Sequence, residues 1–411
     1  MTKLFKLAWR NVWRNRRRSL ITMGAVFFSV LIIALTRSLQ YGTYDAVESY
    51  AIRLFTGDAQ VQRAGYHEDQ TLSYALREDE RDWDAVLGAR PWLEAYARRL
   101  TGFGLVSSDS SSAGAMIAGV DPEAEPHVST FLRKITAGAP LARGDDHRAL
   151  LGATLARNLD VTVGDTVVAL TQGYRNEMGA DLYVVKGLFE SGSAELDRST
   201  MALTLPDARA LFSLPGGLTA IALRTDDFRR AQTYAAELAA ALDDDRVVVL
   251  DWDTLMPELR QMILLDNVSG AIFLAFMLIL IGFEIFNTTM MSVMERVREF
   301  GILQAMGMKP GQISLLVVME LLIKVALALA VSMVVTGALI AYFAGHPIPL
   351  SESLKELYEE FGFAVDALVF SGRARVFLEP LFSVAFIAVA AMIYPAVRVW
   401  RFSPVEALRR V

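Results

Sequence analysis

The sequence of 411 residues has no cysteine, which excludes disulfides, thiolate nucleophiles and Cys-ligated metals. Histidine is nearly as scarce. His67, His127, His147 and His346 are scattered and form no HxxxH or HExxH pair, so no zinc or haem ligand pattern is present and no metal is expected. No G-x-x-x-x-G-K-[ST] occurs, and the chain cannot cradle nucleotide phosphates by that motif. The serine-rich stretch Ser107–Gly114 lacks the G-x-S-x-G elbow and reads as a polar loop. The Asp243–Asp245 run lacks the spacing of a calcium loop and reads as a solvated turn. No catalytic residue and no cofactor bound by this chain are expected. Short-period repeats and low-complexity tracts are also missing.

Apolar residues are plentiful instead. They make up 53% of the chain, with a mean hydropathy of +0.34, and they cluster. Four runs, Ser19–Leu39, Val268–Met291, Ile313–Phe343 and Phe377–Val397, reach the roughly 20 residues a helix needs to cross the hydrocarbon of a bilayer. The first is too long for a signal h-region and lacks a small-x-small cleavage site, so it is expected to be a span rather than a cleavable signal. Lys3, Lys6, Arg10, Arg14, Arg16, Arg17 and Arg18 precede the first run, and Arg398, Arg401, Arg409 and Arg410 follow the last. By the positive-inside rule both termini are expected in the cytoplasm. Residues 40–267 and the loop 344–376 are then expected outside. The net charge of -6 comes largely from the acidic external part, and the basic clusters flank membrane rather than mark nucleic-acid binding.

Residues 1–18 read as a cytoplasmic amphipathic helix. Phe5, Ala8, Trp9, Val12 and Trp13 share one arc, opposite Lys3, Lys6, Arg10, Arg14 and Arg17. The pattern suits a helix lying in the membrane interface. The external part reads as mixed α/β. Strands are expected at Ala59–Val61, Gly104–Ser107, Ala115–Val120, Thr166–Leu170, Asp181–Phe189, Ala220–Leu223 and Val247–Leu250, and helices at Leu205–Leu214 and Asp227–Leu242. A helix break is expected at Asn158–Asp160 and a tight turn at Gly164-Asp165. Helical stretches leave span one and enter span two, as stalks. In the loop 344–376, Ser351–Glu360 reads as helix.

Three ionisable residues fall within spans: Glu284 in the second, Glu320 and Lys324 in the third. Such residues usually face protein and find partners. Glu320 and Lys324 stand at i,i+4 in the favoured orientation. The three are expected to form one polar network joining spans two and three, serving as structural glue or, in the rival reading, a proton or substrate path.

Between spans two and three lies SVMERVREFGILQAMGMKPGQ, residues 292–312. Glu295, Arg296, Arg298 and Glu299 end the hydrophobic zone. Phe300, Ile302, Leu303 and Met306 give an apolar face, and Gly307 suits a helix end. A short surface helix of this kind could dock into a groove on a soluble protein, or be an ordinary connection. Periodicity does not decide between them.

The run Asn287–Met290 and Ser292–Gly307 closely resembles the signature of the FtsX-like/MacB-like ABC transporter permeases. The tail Tyr394-Pro395-Ala396-Val397-Arg398 with Ser403–Arg409 is similar to that family's C-terminal end, and Leu7–Arg18 to its N-terminal elbow. Gly119-Val120-Asp121-Pro122 and Leu151–Ala156 with Val163-Gly164-Asp165 resemble the MacB-like periplasmic core. The resemblance implies an α-helical membrane protein of the inner membrane with four transmembrane helices and a large α/β periplasmic domain on helical stalks. It implies a dimeric permease, self-paired or with a sister subunit, moved by mechanotransmission from a separate ATPase dimer that binds the ATP and Mg. The ATPase would dock on Glu295, Arg298, Glu299, Phe300, Gly301, Leu303, Met306 and Gly307.

The missing phosphate-binding loop sets the chain apart from members with a fused ATPase. The span count sets it apart from ten-span members, and the size of the external domain from the short cell-division members. That leaves the lipoprotein-releasing branch and its relatives, in which lipid-anchored cargo enters between spans one and two and passes to a periplasmic acceptor. Phe28, Ile32, Phe286 and Met290 could line such a site, although lipid-facing or packing roles suit each equally well. Two other readings stay open. One is efflux of peptides or drugs with a membrane-fusion partner. The other is a regulator of cell-wall hydrolases that transports nothing.

Overall fold

The computed structural model describes residues 2–355 and 367–401, and these fall into two units. The first unit comprises the chain up to Tyr44, Ile263–Pro349 and the part from Ala367 on. Six helices build it: α1 (Thr2–Arg14), α2 (Arg16–Ala51), α3 (Pro257–Glu295), α4 (Val297–Ala305), α5 (Pro310–Gly345) and α6 (Ala374–Trp400). Four of them (α2, α3, α5 and α6) are long and apolar enough to cross a membrane, one for each run in the sequence. α2 and α3 extend well past the apolar runs at their domain-side ends, as the proline-free sequence after span one suggests.

The inward faces of these helices repeat at helical spacing. Val26, Val30 and Ile33 of α2 pack with Ile281 and Ile285 of α3, Leu321 and Val325 of α5, and Val384 and Ala388 of α6. Serine also serves at an interface: Ser332 Oγ donates to the Ala328 carbonyl in its own helix, and the small side chain is fully buried. Pro380 and Pro395 lie inside α6 and are both buried, where each removes a backbone donor from the helix interior. The helical reading of Ser351–Glu360 is met at 352–355. Its remainder lies outside the described residues, as do Ser403–Arg409 and Arg410.

The second unit covers Asp45–Met262 together with Leu350–Asp366. Its strands are β1 (Ala59–Arg63), β2 (Leu76–Arg77), β3 (Leu93–Ser107), β4 (Ser112–Val120), β5 (Ile135–Gly138), β6 (Arg148–Gly152), β7 (Thr166–Gln172), β8 (Met178–Phe189), β9 (Thr200–Thr204), β10 (Gly217–Leu218), β11 (Ala220–Thr225) and β12 (Val247–Asp251). Ten form one sheet in the order β12-β1-β11-β3-β4-β9-β6-β8-β5, with β7 pairing β3 and β8. The β4–β9 and β6–β8 pairs are parallel. The break expected near Asn158–Asp160 is made by Asp160 in the left-handed region (φ 56).

Several elements differ from expectation. The serine-rich Ser107–Gly114 stretch closes a hairpin, with Ser107 opposite Ser112. β3 begins at Leu93, well before Gly104. Arg98 and Arg99 hid this from a hydropathy pattern, because their guanidinium groups are neutralised by partners that the pattern cannot show. β6 runs up to Gly152, just before a short helix at Ala153–Leu159. It is a short parallel strand with Ala149, Leu150 and Leu151 all buried.

One buried ion pair ties the end of the long helical run to this sheet. After α2, residues Ile52–Thr56 form a turn of wider π type that stops at Gly57 (φ 81). Arg99 of β3 donates to the Phe55 carbonyl, and its guanidinium lies 4.4 Å over the Phe55 ring. It pairs with Glu125 through Nε at 3.0 Å and Nη2 at 2.5 Å. Thr130 and Phe131 backbone amides donate to the Arg53 and Leu54 carbonyls at 2.8 and 3.0 Å. The last carbonyls of the helical run are thereby satisfied by the domain itself rather than by water.

Candidate functional site

Two places in the membrane unit combine polar groups with shape. The first surrounds α4. Arg296 is the residue before its first turn, and beyond its end Gly307 takes φ 97. The Gly307 amide donates to the Gln304 carbonyl at 2.9 Å, and the Met308 amide to the Leu303 carbonyl at 3.0 Å. Leu303 and Met308 pack together against one cluster. This is a Schellman end, and it needs a residue tolerant of the left-handed conformation at Gly307. Lys309 N then donates to Gln312 Oε1 at 3.1 Å, and Pro310 opens α5 at a position where its missing N–H costs nothing.

Val297, Phe300 and Gly301 face inward and are buried. Phe300 joins Val293, Ile313, Val317 and Val399. Arg298, Ile302 and Met306 face outward, with Ile302 47% and Met306 72% exposed.

A charged lattice holds this helix. Arg14 of α1 grips Glu299 with both carboxylate oxygens at 2.7 Å. Arg296 Nε donates to Glu299 at 2.9 Å, and its Nη1 reaches Glu320 of α5 at 2.8 Å. Asn11 of α1 donates to the same Glu320. Arg18 pairs with Glu295. Burial would raise the Glu299 carboxyl, but hydrogen bonds from Arg14 and Arg296 outweigh it and hold it below the usual glutamate range. A depressed folded-state pKa gives stability that is present above the unfolded value and lost as pH falls through the folded one. The α1–α4 grip is therefore expected to persist at pH 5 and to loosen only below the ordinary glutamate pKa. Hydrogen exchange of residues 297–305 across that range checks this, and loosening between pH 6 and 5 would contradict it.

The second place is a cavity of about 430 Å³ between α2 and α3. Ile33, Leu39, Phe273 and Leu274 give it apolar wall, and Arg37, Gln40, Tyr44 and Asp266 gather in it. Asp266 accepts from Gln40 Nε2 at 3.0 Å and from the Tyr44 hydroxyl. Arg37 donates to Gln40 Oε1 at 2.8 Å and to Glu379 of α6 at 3.2 Å. Gly270 permits the close approach of α3: a Cβ there would stand 2.9 Å from Gln40 Nε2.

The C-terminal part, residues 271–404, matches the FtsX-like permease C-terminal model, and residues 19–241 match the MacB-like periplasmic core domain. The chain is a permease of the FtsX-like/MacB-like ABC transporter family. It is 26% identical to the lipoprotein-releasing system transmembrane protein LolC of Xylella fastidiosa (strain Temecula1), covering 96% of this permease and 95% of that protein. It is 24% identical to LolC of Neisseria meningitidis serogroup B, covering 79% and 78%. Among solved structures, the periplasmic region of MacB from Actinobacillus actinomycetemcomitans is similar at 12% identity and a TM-score of 0.36, covering 51% of the permease and 95% of that chain.

In the permease the residues singled out from sequence do not all stand where a docking or cargo role needs them. Arg298 and Met306 are exposed on α4, and Ile302, read as part of its apolar face, joins them. Phe300 and Gly301 are buried and Leu303 is half-buried, so these three hold α4 in place. Glu295 and Glu299 are engaged by arginines, and Gly307 ends the helix.

The expected network of Glu284, Glu320 and Lys324 is corrected. Glu284 is exposed, because the inward face of α3 is filled by Ile281 and Ile285, and a neighbour in a helix points about 100° away. Glu320 is bound instead by Arg296 and Asn11. Lys324 faces a cavity of about 20 Å³ shared with Thr22, Thr288, Ser292 and Glu320, the scale of a single water. Phe28, Ile32, Phe286 and Met290 are not gathered into one cavity. Phe28 and Ile32 are exposed on α2, and Phe286 lies against Tyr394 of α6 at 5.7 Å. The cavity takes Ile33 rather than Ile32, again one residue round the helix. Asn11, Arg14 and Arg18 were missed; Arg14 showed only as part of a cationic arc, Arg18 only as part of a basic flank, and Asn11 gave no signal.

Proposed function

We propose that this permease extracts lipoprotein, or another acylated amphiphile, from the outer leaflet of the inner membrane. A separate cytoplasmic ATPase dimer carrying ATP and Mg would drive it, and a second permease subunit would complete the membrane part. The observation that carries the reading is the cavity between α2 and α3. Apolar side chains there can take acyl chains, while Arg37, Gln40, Tyr44 and Asp266 offer donors and acceptors to the polar part of the same molecule. The similarity to LolC along nearly the whole chain supports the same cargo class. In this reading both termini are cytoplasmic and the α/β domain is periplasmic. The outward stripe of α4 receives the ATPase, and motion passes along the unbroken helices α2 and α3.

Two expected results follow. Thr36→Trp, at an exposed position of the cavity lining, fills the cavity and lowers the stimulation of ATP turnover by a triacylated peptide about tenfold or more, while basal turnover is retained. Full stimulation in that variant would remove the cavity from the path. Ile302→Glu with Met306→Glu places charge on an apolar docking stripe and is expected to cost at least tenfold in ATPase affinity, because the core of such contacts tolerates unpaired charge poorly. Co-purification of the ATPase at wild-type level would reject this stripe as its dock.

A further inference from the structure

Helix α1 has three faces where its sequence suggests two. Ala8 and Val12 are fully buried and pack on Leu316 and Ile323 of α5. Next round the helix come Phe5, Trp9 and Trp13, all exposed, with the two indoles edge to face at 6.1 Å. Beyond them stand Lys3, Lys6 and Arg10, also exposed, and then Arg14, engaged by Glu299. Among the described residues none of Lys3, Lys6 and Arg10 forms an ion pair.

The packed face fixes the rotation of α1, and Asn15 alone separates it from α2. The aromatic arc is thus held at the mouth of a membrane span, where indole rings suit the boundary between headgroups and acyl chains. The cationic arc beside it then lies at the depth of the lipid phosphates.

We propose that α1 binds anionic phospholipid headgroups of the leaflet it borders through Lys3, Lys6 and Arg10, and that the Arg14–Glu299 and Asn11–Glu320 contacts pass this occupancy to α4. Charge complementarity selects the occupant. Three cations with no ion pair among the described residues, beside a lipid surface, favour anionic over zwitterionic headgroups, by about fivefold per basic residue. The link to α4 is direct through Glu299, which stands on that helix, and runs through Glu320 of α5 to Arg296 at the start of α4. What α4 does with that link rests on the ATPase-docking reading, whereas the lipid contact and its transmission do not.

The test uses the full chain in nanodiscs of phosphatidylcholine carrying equal fractions of brominated phosphatidylglycerol or brominated phosphatidylcholine. The quenched signal of Trp9 and Trp13 is isolated by difference from a Trp9→Phe/Trp13→Phe variant. Quenching by the anionic lipid is expected to exceed that by the zwitterionic lipid severalfold. The excess is expected to vanish in Lys3→Gln/Lys6→Gln/Arg10→Gln and to shrink in high salt. Equal quenching in the wild type would overturn the lipid contact. Hydrogen exchange of residues 297–305 reads transmission. It is expected to slow with phosphatidylglycerol in the wild type but not in Arg14→Gln, which keeps the quenching contrast. Exchange of α4 that ignores lipid charge in the wild type would overturn the transmission.

Discussion

Glu320→Leu is expected to destabilise the membrane unit by about 3 kcal/mol or more, the scale of breaking a buried ion pair from one side. The Glu320 side chain is 8% exposed and that of Arg296 15%, so removing the carboxylate leaves a guanidinium in a site with little water. Asn11 loses its acceptor at the same time, and α1 loses one of the polar ties that join it to the rest of the unit. Glu299 stays bonded to Arg296 Nε at 2.9 Å but is shared with Arg14, so it offsets only part of the loss. Glu320→Gln keeps an acceptor for Asn11 and is expected to fall between wild type and Glu320→Leu. Denaturant titration of the purified chain in mild detergent checks the order. A Leu variant as stable as wild type would mean that Arg296 finds another partner and that the lattice is dispensable.

The second large effect lies in the α/β unit. Arg99 and Glu125 side chains are each 1% exposed, and only Ser129 also bonds the Glu125 carboxylate among the described side chains. Arg99→Met is expected to cost about 3–5 kcal/mol, because an ionised carboxylate would remain in the core. It also removes the donor to the Phe55 carbonyl. Arg99→Met/Glu125→Leu is expected to recover most of that loss, since a buried pair replaced by apolar groups of similar size is often neutral or stabilising. Pulse proteolysis of the full chain in urea measures both variants. If the double variant is as unstable as the single one, the tie to the Ile52–Thr56 turn, rather than the charge balance, is what holds the domain.

The membrane part was legible wherever one residue's neighbours decide its state. Apolar runs marked all four spans because length and composition suffice for that assignment. Gly307 marked the end of α4 because a left-handed residue has a local signature. Partners far along the chain had no such signal. Arg14 and Glu299 are 285 positions apart, and nothing near either names the other. Glu284 shows the opposite failure. Its depth in an apolar run suggested a partner, but which way it faces depends on how Ile281 and Ile285 pack. Which face of α2 lines the cavity was unreadable for the same reason: Ile33 lines it and Ile32 does not, and neither face of a wholly apolar helix is distinguished by its own sequence. In the α/β unit, short apolar β-branched runs that follow turn residues, such as Val247–Leu250, were readable. Of β3 only the Gly104–Ser107 end was, since its buried Arg99 looks like surface until Glu125 is placed beside it.

In the proposed function an acylated cargo occupies the cavity between α2 and α3 and leaves it when ATP is used. The most direct measurement places a photo-crosslinking residue at Phe273 in the full chain, reconstituted with its ATPase and a triacylated lipoprotein. An adduct between residue 273 and the lipoprotein is expected before ATP is added, and its loss after ATP and Mg. An adduct that never forms, or one that persists unchanged through ATP turnover, would contradict it.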